Sequence, residues 1–269
     1  MSPWPTGAHL ARTLLALAAL LPSPAAATVV LHARAAAKTV RVFAAASLQD
    51  AFRSLGARFE AEHPGTRLEF NFAGSQVLRT QIEQGAQADL FASADTEHVA
   101  ALARTGLAEP AVIFAHNRVV VVTPAKDERV RRLTDLARPR VRIVMAGPAV
   151  PAGRYADQAL SALGRDPAFG AALEAAVRAN VVSQESNVRA VLAKVQLGEA
   201  DAGFVYETDA RAAGGRVRVI ALPPRAEVRT TCAATVLRAA RARPEALAFL
   251  HSLLGPEARL LLRGLGFRP

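Results

Sequence analysis

The sequence predicts an α/β protein built as two lobes, and three observations carry that expectation. From Thr39 onward, short β-branched runs alternate with longer stretches whose apolar residues recur at helical spacing. With residues 1–37 set aside, 232 of the 269 residues remain, enough for one large domain or two of ordinary size. The last two helical patterns follow Pro223-Pro224 and need a partner sheet. Folding back onto the first lobe supplies one and leaves two crossover strands as a hinge.

Taken in order, residues 39–44 read as a strand. A helix follows from Ser47 to Glu62, with Leu48, Ala51, Phe52, Leu55 and Phe59 on its apolar face, and Ser47 is placed as its cap. His63-Pro64-Gly65 ends it. Residues 67–72 form a second strand, Gly74-Ser75 opens a helix to about Gln84, and residues 89–92 form a third strand with a helix from Asp95. Four consecutive valines, 119–122, begin a second set: a helix near Leu133, a strand over 141–145, helices after Gly153 and Asn187, and strands over 202–206 and 217–221. Helices over 244–254 and 256–262 close the chain. The first lobe is expected to comprise 38–118 plus 223–269 and the second 119–222, each a mixed sheet flanked by helices.

Residues 1–37 contain no acidic side chain and run through an apolar core, Leu14 to Leu21, into small residues, the pattern of a cleaved secretory signal peptide. That core falls short of the ~20 residues a membrane span needs. The mature chain is expected to start near Lys38. The single cysteine, Cys232, lies far from this region, so no internal disulfide is possible and no lipid-attachment cysteine marks the cleavage site. Formal net charge is +10, of which Arg12 and Arg34 in the leader account for two. The arginines are scattered and aromatic residues make up only 5 %, which argues against a nucleic-acid surface.

Three places share one physical theme, a strand running into small residues and a donor-rich helix start: Ala44-Ala45-Ala46-Ser47-Leu48, Phe72-Ala73-Gly74-Ser75-Gln76 and Pro148-Ala149-Val150-Pro151-Ala152-Gly153. The first amides of a helix lack intrahelical acceptors and sit at the positive end of its dipole, so they bind anions without a cationic side chain. Ser47 and Ser75 each add a hydroxyl. Taken singly, a serine before a helix is ordinarily an N-cap.

Seven segments together, in order, resemble the periplasmic molybdate-binding proteins of ABC transporters, the ModA family. They are Val42-Phe43-Ala44-Ala45-Ala46-Ser47-Leu48, Gln81-Ile82-Glu83-Gln84-Gly85-Ala86, Ala88-Asp89-Leu90-Phe91-Ala92-Ser93-Ala94-Asp95, Val150-Pro151-Ala152-Gly153, Asn187-Val188-Arg189, Val205-Tyr206-Glu207-Thr208-Asp209-Ala210 and Gly255-Pro256-Glu257-Ala258. The resemblance implies the type II periplasmic-binding-protein fold, two lobes closing on a ligand. It implies that the hydroxyls and amides of Ser47 and Ser75, the amides of Ala152 and Val188, and the hydroxyl of Tyr206 hold a tetrahedral oxyanion. By spacing alone, Val188 is an apolar helix position and Tyr206 an ordinary core tyrosine. The family pattern departs at Gly74 and Gln76, where serine or threonine is common.

On this reading the protein is a periplasmic monomer that binds molybdate or tungstate with high affinity, as cargo and without a cofactor. It then delivers the ion to a membrane permease with its cytoplasmic ATPase. Another tetrahedral oxyanion such as sulfate is the alternative. No enzyme is expected: Ser75 lacks the second glycine of a nucleophile elbow, no Walker sequence is present, and the six histidines show no metal-ligand spacing. Asp89 and Asp95 read as strand-end caps. A cytoplasmic regulator would need a helix-turn-helix segment in place of the leader, and a binder of organic solutes would need a fixed charge to clamp a carboxylate.

Overall fold

The computed structural model describes residues 37–269, so the expected signal peptide and its cleavage site lie outside the described residues. The first sheet begins with β1 (Lys38–Ala45), which pairs in parallel with β2 (Thr66–Ala73) and β3 (Leu90–Ser93). Parallel strands need a crossover connection, usually a helix, here α1 (Gln49–Glu62) and α2 (Ser75–Glu83), with α3 (Glu97–Arg104) after β3. The 13-residue β4 (Val112–Pro124) follows.

The second set consists of β5 (Ile143–Ala146), α4 (Pro151–Arg165), α5 (Gly170–Ala179), β6 (Val181–Glu185), α6 (Val188–Gln196), β7 (Ala202–Tyr206), α7 (Glu207–Ala213) and β8 (Val217–Ile220). The chain then runs through β9 (Arg229–Val236), α8 (Arg243–Ser252) and α9 (Pro256–Gly264). The first sheet has the order β2-β1-β3-β9-β4, and β4 continues into the second sheet, flanked there by β8 and by β7-β5-β6. The partner of β4 changes between Arg118, opposite Arg229 of β9, and Val119, opposite Tyr206 of β7. That one residue step is where the two sheets meet. The valine run 119–122 is the second half of β4, so the second set of elements opens inside a strand that begins in the first sheet.

Packing follows the apolar patterns. Phe52 of α1 meets Phe70, Phe114 and Phe249 edge-to-face at 6.4, 5.8 and 5.9 Å between ring centres. These rings tie α1 to both β2 and α8, and the two terminal helices pack beside the first sheet and α1. Gly56 is required at this contact, since a Cβ there would come within 2.7 Å of the Phe70 ring.

Several elements escaped the sequence reading. β9 lies in the middle of the first sheet with nearly every residue buried, so its sequence, Arg-Thr-Thr-Cys-Ala-Ala-Thr-Val, lacks the inside-outside alternation that marks a half-exposed strand. β6 is an edge strand with no buried residue. α5 buries only Leu173 and Val177. The helix expected near Leu133 is one short 3-10 turn, Leu133–Ala137.

Candidate anion-binding site

All five residues singled out by sequence line one small cavity: Ser47, Ser75, Ala152, Val188 and Tyr206. The first two come from elements of the first sheet, the other three from elements of the second. The remaining walls are small or apolar, chiefly Ala45, Ala46, Ala73, Gly74, Ala94 and Val150. No lining residue carries a formal charge.

Each position is set by how a strand turns into a helix. Ser75 and Val188 are the first residues of α2 and α6, and Ala152 is the second of α4, whose first residue is Pro151. Proline at that place sacrifices only an amide that would lack a helical acceptor anyway, leaving the next one free. Asn187 caps α6 by accepting the Ala190 amide at 3.1 Å, so its side chain neutralises a deeper amide and leaves that of Val188 uncapped. Gly153 fits a confined helix start, where a Cβ would lie 2.1 Å from the Gly147 carbonyl oxygen.

Ser47 corrects an expectation. It sits inside a 3-10 turn, Ala46–Leu48, and α1 begins at Gln49 with Leu48 as its N-cap and no side-chain capping bond. The tight turn at the end of β1 moves the helix start two residues on. Among the described residues, nothing in the protein hydrogen-bonds the Ser47 hydroxyl. Ser75 is held differently: its Oγ accepts the Ala94 amide at 3.2 Å, which leaves the hydroxyl hydrogen free to donate elsewhere.

Tyr206 supplies the most informative atom. Its side chain is 2 % exposed and its hydroxyl is buried without a hydrogen-bond partner. A buried polar atom left unpaired costs about 1–3 kcal/mol, so such atoms in native proteins call for an explanation. Burial holds the phenol well above its ordinary range, and neighbouring Cys232, Tyr155, Asp209 and Asp95 push the same way. It is therefore a proton donor across the physiological range.

Outside this uncharged shell lies a rim of charge that the sequence reading did not identify. Arg189 contacts Asp50 of α1 at 2.6 Å and, through Nε, Asp209 at 2.7 Å. Asp209 is fully buried and accepts the Tyr206 backbone amide at 3.3 Å. Burial pushes its carboxyl up to about 6, against the pull of Arg189 and that amide. Arg154 bridges Asp95 and, at 3.1 Å, Glu97. Burial by itself raises Asp95, but hydrogen bonds and charge from His98, with Ser93, carry it below the ordinary carboxylate range. Gln76 donates to the Ser186 carbonyl at 2.8 Å. Asp89, read as a cap, accepts the amides of Arg41, Arg241 and Ala242 and lies away from the cavity.

An α/β scaffold with neutral donors converging on a small cavity has the build of a solute-binding protein. Residues 40–268 match the family model of bacterial extracellular solute-binding proteins. The molybdate-binding protein ModA of Mycobacterium tuberculosis is 38 % identical over 233 residues, covering 86 % of this chain and 85 % of that protein. Two solved structures share the fold: the periplasmic molybdate-binding protein of Azotobacter vinelandii (TM-score 0.74, 22 % identity, 86 % and 99 % covered) and the sulfate-binding protein SubI of M. tuberculosis (TM-score 0.74, 20 % identity, 86 % and 87 % covered). The chain belongs to the ModA family, and its fold is that of the type II periplasmic binding proteins.

Proposed function

We propose that this protein captures molybdate, or tungstate, in the periplasm and delivers it to the permease of an ABC transporter. The observation that carries the reading is the orphaned Tyr206 hydroxyl, buried in a charge-free cavity beside the free hydroxyls of Ser47 and Ser75 and the helix-start amides of Ala152 and Val188. Each hydrogen bond to a charged group contributes about 1.5–3 kcal/mol. Several converging donors therefore outweigh the desolvation of a dianion and the loss of its translational freedom. The names of its relatives agree with this ligand.

The uncharged lining also selects. Phosphate near neutral pH retains a proton that requires an acceptor, and the lining side chains include no carboxylate. Sulfate matches molybdate in charge and shape, so its rejection rests on size.

The change of partner along β4 supports lobes of 38–118 plus 223–269 and 119–222, with the β4 step and the return segment 221–228 as the hinge. Ion binding closes the lobes, because the contacts that favour the closed form exist only there. On this reading the leader directs the protein to the periplasm and is cleaved, and the mature protein acts there as a monomeric carrier without catalytic activity.

Calorimetric titration with molybdate, tungstate, sulfate, phosphate and an amino-acid mixture tests the reading. Binding confined to molybdate and tungstate is expected. Preference for sulfate would select the alternative oxyanion, and binding of the amino acids alone would reject the proposal.

A further inference from the structure

Three side-chain bridges surround the cavity, and each joins elements of the first sheet to elements of the second. Gln76 of α2 reaches the Ser186 carbonyl before α6, Arg154 of α4 reaches Asp95 after β3, and Arg189 of α6 reaches Asp50 of α1. Their positions are not arbitrary. Gln76 follows Ser75, Arg189 follows Val188, Arg154 lies two residues beyond Ala152, and Asp50 lies three beyond Ser47. Asp95 adjoins Ala94, whose amide holds the Ser75 hydroxyl. Every bridge is thus fixed to the same turn as a proposed anion donor.

Resting on the closure reading above, we propose that Gln76, Arg154 and Arg189 are positioning residues that clasp the two lobes directly. The clasp holds the closed cleft by protein-to-protein contacts and sets how slowly the anion leaves. Two features argue for more than incidental surface pairing. In the first pair Asp95 is 3 % and Arg154 29 % exposed, so it is screened less than a free surface pair, while Arg189, 25 % exposed, meets the more open Asp50, 46 % exposed. The backbone also allows the approach: a Cβ on Gly74 would lie 2.4 Å from the Ser186 oxygen, so glycine lets this loop meet the opposite lobe. Its φ of −62° is open to any residue, which leaves close approach as the reason for glycine. Arg189 further ties the clasp to the ligand shell, since its other partner, Asp209, holds the Tyr206 amide.

The work is divided by chemistry. The anion's partners are neutral groups, whereas two of the three clasp contacts are ion pairs that weaken in salt. Steering by the positive net charge acts on association, so the dissociation rate is the diagnostic quantity. The test uses Asp50→Asn combined with Arg154→Gln, with Gln76→Ala as a separate variant. Arg189 is left intact because removing it would strand the buried Asp209. Asp95 keeps His98 and Ser93 as partners in the double variant.

Two readouts apply. In the first, labelled molybdate is chased with excess unlabelled ion at low and high NaCl. The wild type is expected to release faster in high salt, and the double variant to release about tenfold faster at low salt with little further change. In the second, spin labels on Ser54→Cys and Leu197→Cys measure the span between the lobes without ligand, the native Cys232 being buried. The double variant, and to a smaller degree Gln76→Ala, should show a larger open fraction. If wild type and double variant share the same release rate, salt response and open fraction, with unchanged melting temperature, the clasp is wrong. If the wild type takes up no molybdate, the functional reading fails, and the label distances still decide the clasp.

Discussion

The cavity and its rim lie a few residues apart in sequence and use opposite chemistries. Inside, the proposed ligand contacts are amides and hydroxyls, and no lining residue is charged. Outside, Arg154, Arg189, Asp50, Asp95 and Asp209 are paired across and around the cleft. A full positive charge inside would attract any anion, including protonated ones, with little regard to shape. Fixed dipoles demand that each oxygen sit where a donor points, so they reward geometry. Ionic contacts are kept where they act on the lobes and not on the ion.

The largest expected effect comes from the inner region. Ser47→Ala with Ser75→Ala removes two hydroxyl donors to a charged ligand and should weaken molybdate binding about a hundredfold or more, measured by calorimetry. The apo melting temperature should fall by only a few degrees, since Ser47 has no partner among the described residues and the one bond lost is that from the Ala94 amide to Ser75.

Tyr206→Phe sharpens the contrast because its two effects have opposite sign. Affinity should fall about tenfold or more, as a donor to the anion is lost. Apo stability should hold or rise, because an unsatisfied buried hydroxyl disappears. A parallel loss of both would mean that the hydroxyl has a structural partner.

At the rim, Gly74→Ala should cost about tenfold in affinity, chiefly through faster release, without removing any donor. The methyl group would stand against the Ser186 oxygen and hold the lobes apart. Crystallography of the apo variant would show the displacement.

The smallest effect is that of pH. Asp209 titrates near 6 when folded, above the ordinary aspartate value of about 3.9, so the folded state binds more protons between these limits. Its contribution to stability is therefore fully present below about pH 4 and is lost as pH rises through about 6. Its protonation also discharges the partner of Arg189, so release of molybdate should quicken a few-fold as pH falls through about 6. Asp209→Asn should flatten both profiles.

Much of this was legible in the sequence, for identifiable reasons. The strands β1, β2, β3 and β7 carry β-branched and aromatic runs bounded by small residues, and the helix starts after them announce free amides. Four of the five cavity residues lie in the ordered segments that resemble the family, and Ser75 lies in the strand-to-helix pattern of residues 72–76; Val188, a buried apolar residue, carries no side-chain signal of its own. β9 was hidden because full burial erases alternation, and β6 because an edge strand buries little. Ser47 was misassigned as a cap because a 3-10 turn and a helix start share the same composition. The rim was hidden for a different reason. Gln76 and Ser186 are 110 residues apart and Asp50 and Arg189 are 139 apart, and nothing local marks an arginine that will meet a carboxylate across a cleft.

The central claim is that neutral dipoles hold the ion, and a crystal structure of the molybdate complex, with the metal located by its anomalous signal, tests it most directly. The account requires the oxyanion between Ser47, Ser75, Ala152, Val188 and Tyr206, with no guanidinium or ammonium group within hydrogen-bonding distance. An ion gripped by Arg154 or Arg189, or seated outside this cavity, would contradict it.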